Sequence, residues 1–269
     1  MAEFLQIALV TWQAISLGFL TVIMILAIQR YMLKKSQITK NLLIMFVFFW
    51  LALLFQLIGL LMRDIWLPNE TYLGPSGSEL FSNPQWIVYI IPRLVRHFVL
   101  SYIFIVVAIF SFYRFSSLVF SEDGSRGKIG TTIAKIAMVG IIIWGILHRS
   151  LADPRSFGIF EEVYSIELYV LIYAFFCCIP IIRGSRQLME RLSRDQRDRR
   201  SIQYILLTAA GIVLIFVMYS LETITTAINK ELFDIVSLIN AFSFLGSMVM
   251  VFTLGFAFRG FFYQKTTSA

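Results

Sequence analysis

Charge is scarce in this chain. Of its 269 residues only 14% are Asp, Glu, Lys or Arg, against 58% hydrophobic, and the mean hydropathy is +0.79. Soluble domains carry about 25% charged residues, so the deficit excludes a water-soluble globular protein. Cysteine is equally sparse. The two present, Cys177 and Cys178, are adjacent within an apolar run, which excludes a disulfide framework; they read as small apolar packing residues. The chain contains no G-x-x-x-x-G-K-[ST], G-x-S-x-G or H-E-x-x-H pattern, so the phosphate cradle, the nucleophile elbow and the helical zinc pair are all missing. No catalytic residue or metal ligand is assigned. Ser101 and Ser165 have no base placed beside them by sequence, which leaves an intramembrane hydrolase without support.

What the chain has in quantity is apolar length. Seven runs stand out: 4–30, 42–63, 85–113, 129–147, 160–182, 202–225 and 232–258. A helix of about 20 apolar residues crosses a hydrocarbon core of about 30 Å, and uninterrupted runs of this length favour helices over alternating barrel strands. The expectation is an all-α membrane protein, a bundle of seven transmembrane helices in a cytoplasmic (plasma) membrane, with the lipid bilayer as its first partner. The first run lacks a basic n-region and a small-residue cleavage site, so it is expected to be retained.

Basic residues retained beside span ends mark the cytoplasmic side. The first, third and fifth links and the C-terminal segment hold 17 of the 23 Lys and Arg residues, including seven arginines between Arg183 and Arg200. The other side holds Arg63, Arg149, Arg155 and Lys230. This predicts an N-terminus outside and a C-terminus in the cytoplasm. The net charge of +7 follows from that asymmetry, and no nucleic-acid partner is implied. The link at 184–201 reads as a basic cytoplasmic helical extension, with Arg191, Arg194, Arg197, Arg199 and Arg200 set to meet anionic headgroups or a cytoplasmic signalling partner. The link at 64–84 contains Pro68, Gly74, Pro75, Gly77 and Pro84 and is expected to cap the outer end; Asn69-Glu70-Thr71 within it is a glycosylation sequon.

The third run alone carries ionisable groups far from its ends. Arg93, Arg96 and His97 stand at i, i+3 and i+4 and would share one helical face. They would lie roughly 10 to 16 Å below the helix start at 1.5 Å per residue. Intramembrane charges require partners. Eleven of the 16 acids fall toward the outer side, so Glu167, Glu222 and Asp234 are the expected counter-ions, with Asn240 and Gln56 deeper. Two readings stay open: an ion-pair network that fixes helix register, and an outward-opening pocket for a small polar or anionic ligand. Haem would need His97 and His148 at matching depth, which their positions do not give.

Seven spans with this orientation resemble the opsin topology, which attaches retinal to a lysine midway along the seventh helix. Between Leu232 and Phe258 there is no lysine, so the resemblance does not extend to retinal. The stretch Arg199-Arg200-Ser201-Ile202-Gln203-Tyr204-Ile205-Leu206-Leu207, with the apolar run after it, resembles the entry to the sixth helix in the N-terminal seven-helix region of sensor histidine kinases. That resemblance implies a receptor-like or sensory module. Only Arg259 to Ala269 follow the last run, so its signal is expected to leave through a separate protein. The alternatives are a small-solute or ion-coupled transporter and a structural subunit of a membrane complex. Runs one to three and five to seven share direction and charge pattern, which permits a parallel three-plus-one-plus-three repeat of the transporter type.

Overall fold

The computed structural model describes residues 2–62, 86–96, 98–120, 124–151, 166–192, 197–232 and 241–262, with the backbone alone at several helix ends and at Arg93. These residues form eight helices: α1 (Ala2–Lys34), α2 (Gln37–Leu61), α3 (Trp86–Arg96), α4 (Val99–Phe120), α5 (Gly124–Leu151), α6 (Ile166–Arg191), α7 (Arg197–Leu232) and α8 (Ala241–Phe261). All but α3 are long and apolar enough to cross a membrane. The chain is therefore an all-α bundle with seven candidate spans. The expected outer cap at 64–84 lies outside the described residues. Within 184–201, α6 continues through Pro180 and Gly184 to Arg191, and α7 begins at Arg197.

Local chemistry sets the connections. Between α1 and α2 the chain turns on Lys35, whose φ of 42° is left-handed, and its N–H donates to the Tyr31 carbonyl at 2.8 Å. Ser36 then caps α2. Its hydroxyl accepts from the Thr39 N–H while the Thr39 hydroxyl accepts from the Ser36 N–H, a reciprocal capping box.

The third apolar run is not one helix. It breaks at Phe98, which has a φ of 58° and donates its N–H to Val95 O at 3.0 Å, so α3 ends and α4 begins within two residues. A bulky residue in this region costs roughly 1–2 kcal/mol, and packing against α2 holds it there. Gly59 makes that approach feasible, since a Cβ at this position would lie 2.7 Å from the Val95 carbonyl and 2.9 Å from the Phe98 ring.

Among the described residues α1, α2, α4, α6, α7 and α8 pack in sequence as a ring, which closes where α1 meets α8. At that closure the Arg30 guanidinium donates to the Phe261 carbonyl at the end of α8. Trp50 Nε1 ties α2 to the Thr21 hydroxyl of α1 at 2.9 Å. The α7–α8 pair is close because Gly211 has no side chain; a Cβ there would lie 3.0 Å from Thr253 Cβ. Helix α5 stands outside the ring against α3, α4 and α6, with the Tyr173 hydroxyl donating to Ala134 O at 3.1 Å. Its Ile129, Ile133, Ile136, Val139, Ile143 and Leu147 side chains are exposed, a face suited to acyl chains.

The ends of α1, α4, α6 and α8 and the starts of α2, α5 and α7 share one end of the bundle, here the basic end. It is filled with phenyl rings. Phe261 stands edge-on to Phe46, Phe112 and Phe115 at centroid distances of 5.9, 6.3 and 5.3 Å, a geometry aromatic quadrupoles favour.

Candidate functional site

The residues singled out above do not all enter the described structure. His97, Asp234, Asn240 and Arg194 lie outside it, as do the side chains of Arg93 and Arg197. Arg96 is buried at 6% exposure as the last residue of α3, where helix carbonyls favour a cation. Glu167 lies in the first turn of α6, and its Oε2 is buried with no hydrogen-bond partner among the described residues. Helices α4, α5 and α6 meet beside Glu167, because a Cβ on Gly145 would meet Ile166 and would lie 3.7 Å from Val99. Trp144 sits at the same level, stacked with His148 and edge-on to Tyr169.

Glu222 joins α7 to the start of α8. Its Oε2 accepts the backbone N–H groups of Phe242 and Ser243 at 3.0 and 3.2 Å, which satisfies amides otherwise left open in the first turn of α8. At the basic end Arg191 and Arg200 are exposed and Arg199 is half-buried.

A second polar group, largely missed by reading along the sequence, occupies the centre of the ring. Gln13 and Ser247 are fully buried at 0% exposure, and Tyr219 is buried beside them. Gln13 Nε2 donates to Ser247 Oγ at 3.0 Å and to the Tyr219 hydroxyl at 3.3 Å. Gln56 Nε2 donates to the same hydroxyl at 3.2 Å. Ser247 Oγ donates to the Ser243 carbonyl at 2.9 Å. Four residues from α1, α2, α7 and α8 are thus joined by their donors. Two acceptors, Gln13 Oε1 and Gln56 Oε1, are buried without a hydrogen-bond partner among the described residues. An amide in hydrocarbon is costly in proportion to its unmet bonds, so these two oxygens are the least satisfied uncharged groups of the cluster. Gln56 was visible as a deep polar residue. Gln13 offered the same signal, a lone amide in an apolar run, without a charge to draw attention to it.

Directly beneath this cluster lies a cavity of about 60 Å³. Each polar residue sits above its wall on the same helical face: Gln13 above Leu20, Gln56 above Leu53, Tyr219 above Phe216 and Ser247 above Met250. The wall is otherwise apolar. Its two threonines are already engaged, Thr208 with Tyr204 O at 2.8 Å and Thr253 with Val249 O at 2.7 Å. Phe46 belongs both to the wall and to the phenyl group around Phe261. The cavity therefore touches the polar cluster through Tyr219 and the phenyl group of the basic end through Phe46.

Comparison with protein-family models, with curated proteins and with solved structures finds no match. Among the described residues no group of three or more His, Cys, Asp and Glu is placed to hold a metal ion.

Proposed function

We propose that this protein is a receptor-like sensory module whose ligand occupies the central cavity and whose signal leaves at the basic end, in the cytoplasm. The observation that carries the reading is the cavity itself: an apolar space that shares Tyr219 with the buried polar cluster, shares Phe46 with the phenyl rings toward the basic end, and is enclosed by helices that run the length of the bundle. Helix α7 carries Tyr219 at the polar cluster and Arg199 and Arg200 near its start. A displacement at Tyr219 is therefore delivered to the basic surface by one uninterrupted helix. A separate cytoplasmic partner would read the changed spacing of α6 and α7 through Arg191, Arg199 and Arg200. The ligand must bind the two spacings unequally, since equal affinity shifts nothing.

The test places spin labels on Arg186→Cys and Gln203→Cys, both exposed near the basic end, with Cys177 and Cys178 buried and silent. Filling the cavity by Ala52→Leu, as a stand-in for occupancy, is expected to move the interlabel distance by on the order of 1–2 Å. An unchanged distribution in a folded variant sinks the sensory reading.

A transporter is the second reading, and one observation favours it. Helices α1, α2 and α4 and helices α6, α7 and α8 occupy matching places in the ring, and α2 and α7 supply most of the cavity wall between them. Substrate sites of repeat-built transporters lie at such a boundary. The phenyl plug argues against it, because transport needs a path past Phe46 and Phe261. Counterflow in liposomes distinguishes the two.

A further inference from the structure

We propose that the groove between α5 and α6 holds one acyl chain of an anionic glycerophospholipid from the leaflet at the basic end, with the lipid phosphate at Arg183. The groove has a volume of about 500 Å³ and is lined by Ile133 and Gly140 of α5, Ile172 and Phe176 of α6, and their neighbours on the same two helices. Both helices are candidate spans, so the groove faces hydrocarbon. Its lining is almost wholly apolar, and the Tyr173 hydroxyl is already spent on the Ala134 carbonyl at 3.1 Å. Water would find too few partners there. An acyl chain fills such a space at no cost in hydrogen bonds.

Two features give the groove a direction. Away from the basic end, Trp144 and Tyr169 meet edge-on with ring centroids 5.9 Å apart and bridge the two helices. Toward the basic end, Ile133 and Phe176 are both exposed. From Ile133 to Trp144 the lining extends about 16 Å at 1.5 Å per residue, close to half of a hydrocarbon core about 30 Å thick. That is the depth one chain of one leaflet occupies.

Charge lies beyond the exposed end. Arg183 follows Phe176 by seven residues, two helical turns, and so stands on the groove-lining face of α6 about 10 Å nearer the basic end. It is exposed. Because Tyr173 reaches Ala134 and the helices run in opposite directions, Arg183 comes near the level of Lys128, where the α5 span begins. Lys128 and Arg186 are exposed as well, and the acid nearest Arg183 in sequence, Glu190, is two turns farther out. An arginine whose stem lies along hydrocarbon and whose head sits at the boundary is suited to a lipid phosphate. A zwitterionic headgroup would bring an ammonium into the same basic field, so a net negative one is preferred.

Gly140 makes the groove testable without harm to the bundle, since nothing lies within 4 Å of a Cβ placed there and a larger side chain enters the groove itself. Native mass spectrometry of the full chain, released from micelles containing equal amounts of phosphatidylglycerol and phosphatidylcholine with matched chains, reads the retained lipid. One phosphatidylglycerol is expected to be held about fivefold more tightly than phosphatidylcholine. Arg183→Gln should abolish that preference, whereas Arg200→Gln on α7 should leave it intact. Gly140→Leu should release lipid of either kind while thermal unfolding stays as in the wild type. A phosphatidylglycerol with a diazirine midway along one chain should mark peptides of α5 and α6 that line the groove. Equal retention of the two lipids by the wild type, an unaltered preference in Arg183→Gln, undiminished retention in Gly140→Leu, or adducts confined to other helices would each overturn the proposal. So would displacement by glycerol phosphate alone, which carries the anion without the chain. A dimer that forms at the expense of the lipid and is broken by Gly140→Leu would assign the groove to a second copy of the protein instead.

Discussion

Gln13 and Tyr219 are the side chains on which the centre of the molecule turns, since each bonds two of the three other members of the cluster. Hydrogen bonds between membrane helices are worth about 0.6 kcal/mol on average and reach about 1.7. Gln13 sits in a fully buried cluster, so its coupling belongs toward the upper part of that range. A double-mutant cycle of Gln13→Leu and Ser247→Ala, followed by unfolding in mixed micelles, should return about 1 kcal/mol. Zero coupling would mean that the cluster is an accident of packing. At this scale the sequence was a partial guide. Arg93, Arg96 and His97 attract notice because charge in an apolar run is expensive, and of the three the Arg96 side chain is described, and it is buried. The amide of Gln13 and the hydroxyls of Tyr219 and Ser247 carry weaker signals. Such residues are tolerated singly in spans, and their meeting depends on which helices become neighbours, a matter 206 and 234 residues of separation conceal.

Elements were more legible than their interruptions. Apolar length and the positions of basic residues mark all seven spans, because a bilayer imposes the length and offers no alternative to internal hydrogen bonding. The break at Phe98 escaped notice because neither Phe98 nor its neighbours are helix breakers, and Pro92 lies inside α3. The left-handed residue is held by a contact with α2 and not by local propensity. Gly59→Ala should expose that dependence. The added methyl meets the Val95 carbonyl, a backbone atom that cannot swing aside, and the loss should be about 2 kcal/mol in a denaturant titration. Gly140→Ala is the control. Nothing lies within 4 Å of its Cβ position, so stability should hold or rise by up to about 1 kcal/mol from helix propensity. The phenyl plug makes a separate prediction. Ala257→Cys, in the cavity wall, should resist a water-soluble thiol reagent in the otherwise native protein and react once Phe261→Ala is added. Prompt labelling without the second substitution would favour a transport path.

Taken whole, the bundle puts its polar chemistry inside the ring and its apolar chemistry on both the wall of the cavity and the outer surface. The two cysteines report on that arrangement. Cys177 and Cys178 are fully buried on α6, so a membrane-permeant maleimide should leave both unmodified until unfolding, and capture should follow the denaturation curve. Fast modification in the native state would show that α6 leaves its place readily.

Helix α5, the one candidate span outside the ring, has a consequence that lies in counting. Three crossings leave a chain on the side opposite to where it began, and a second set of three pointing the same way has to start from the first side again. One extra crossing restores the parity. Its main obligation is thus to be long, apolar and helical, which leaves its outward residues freer to drift than any others in the membrane. Exchanges among Ile, Leu and Val at 129, 133, 136 and 143 should pass unnoticed by every assay described above.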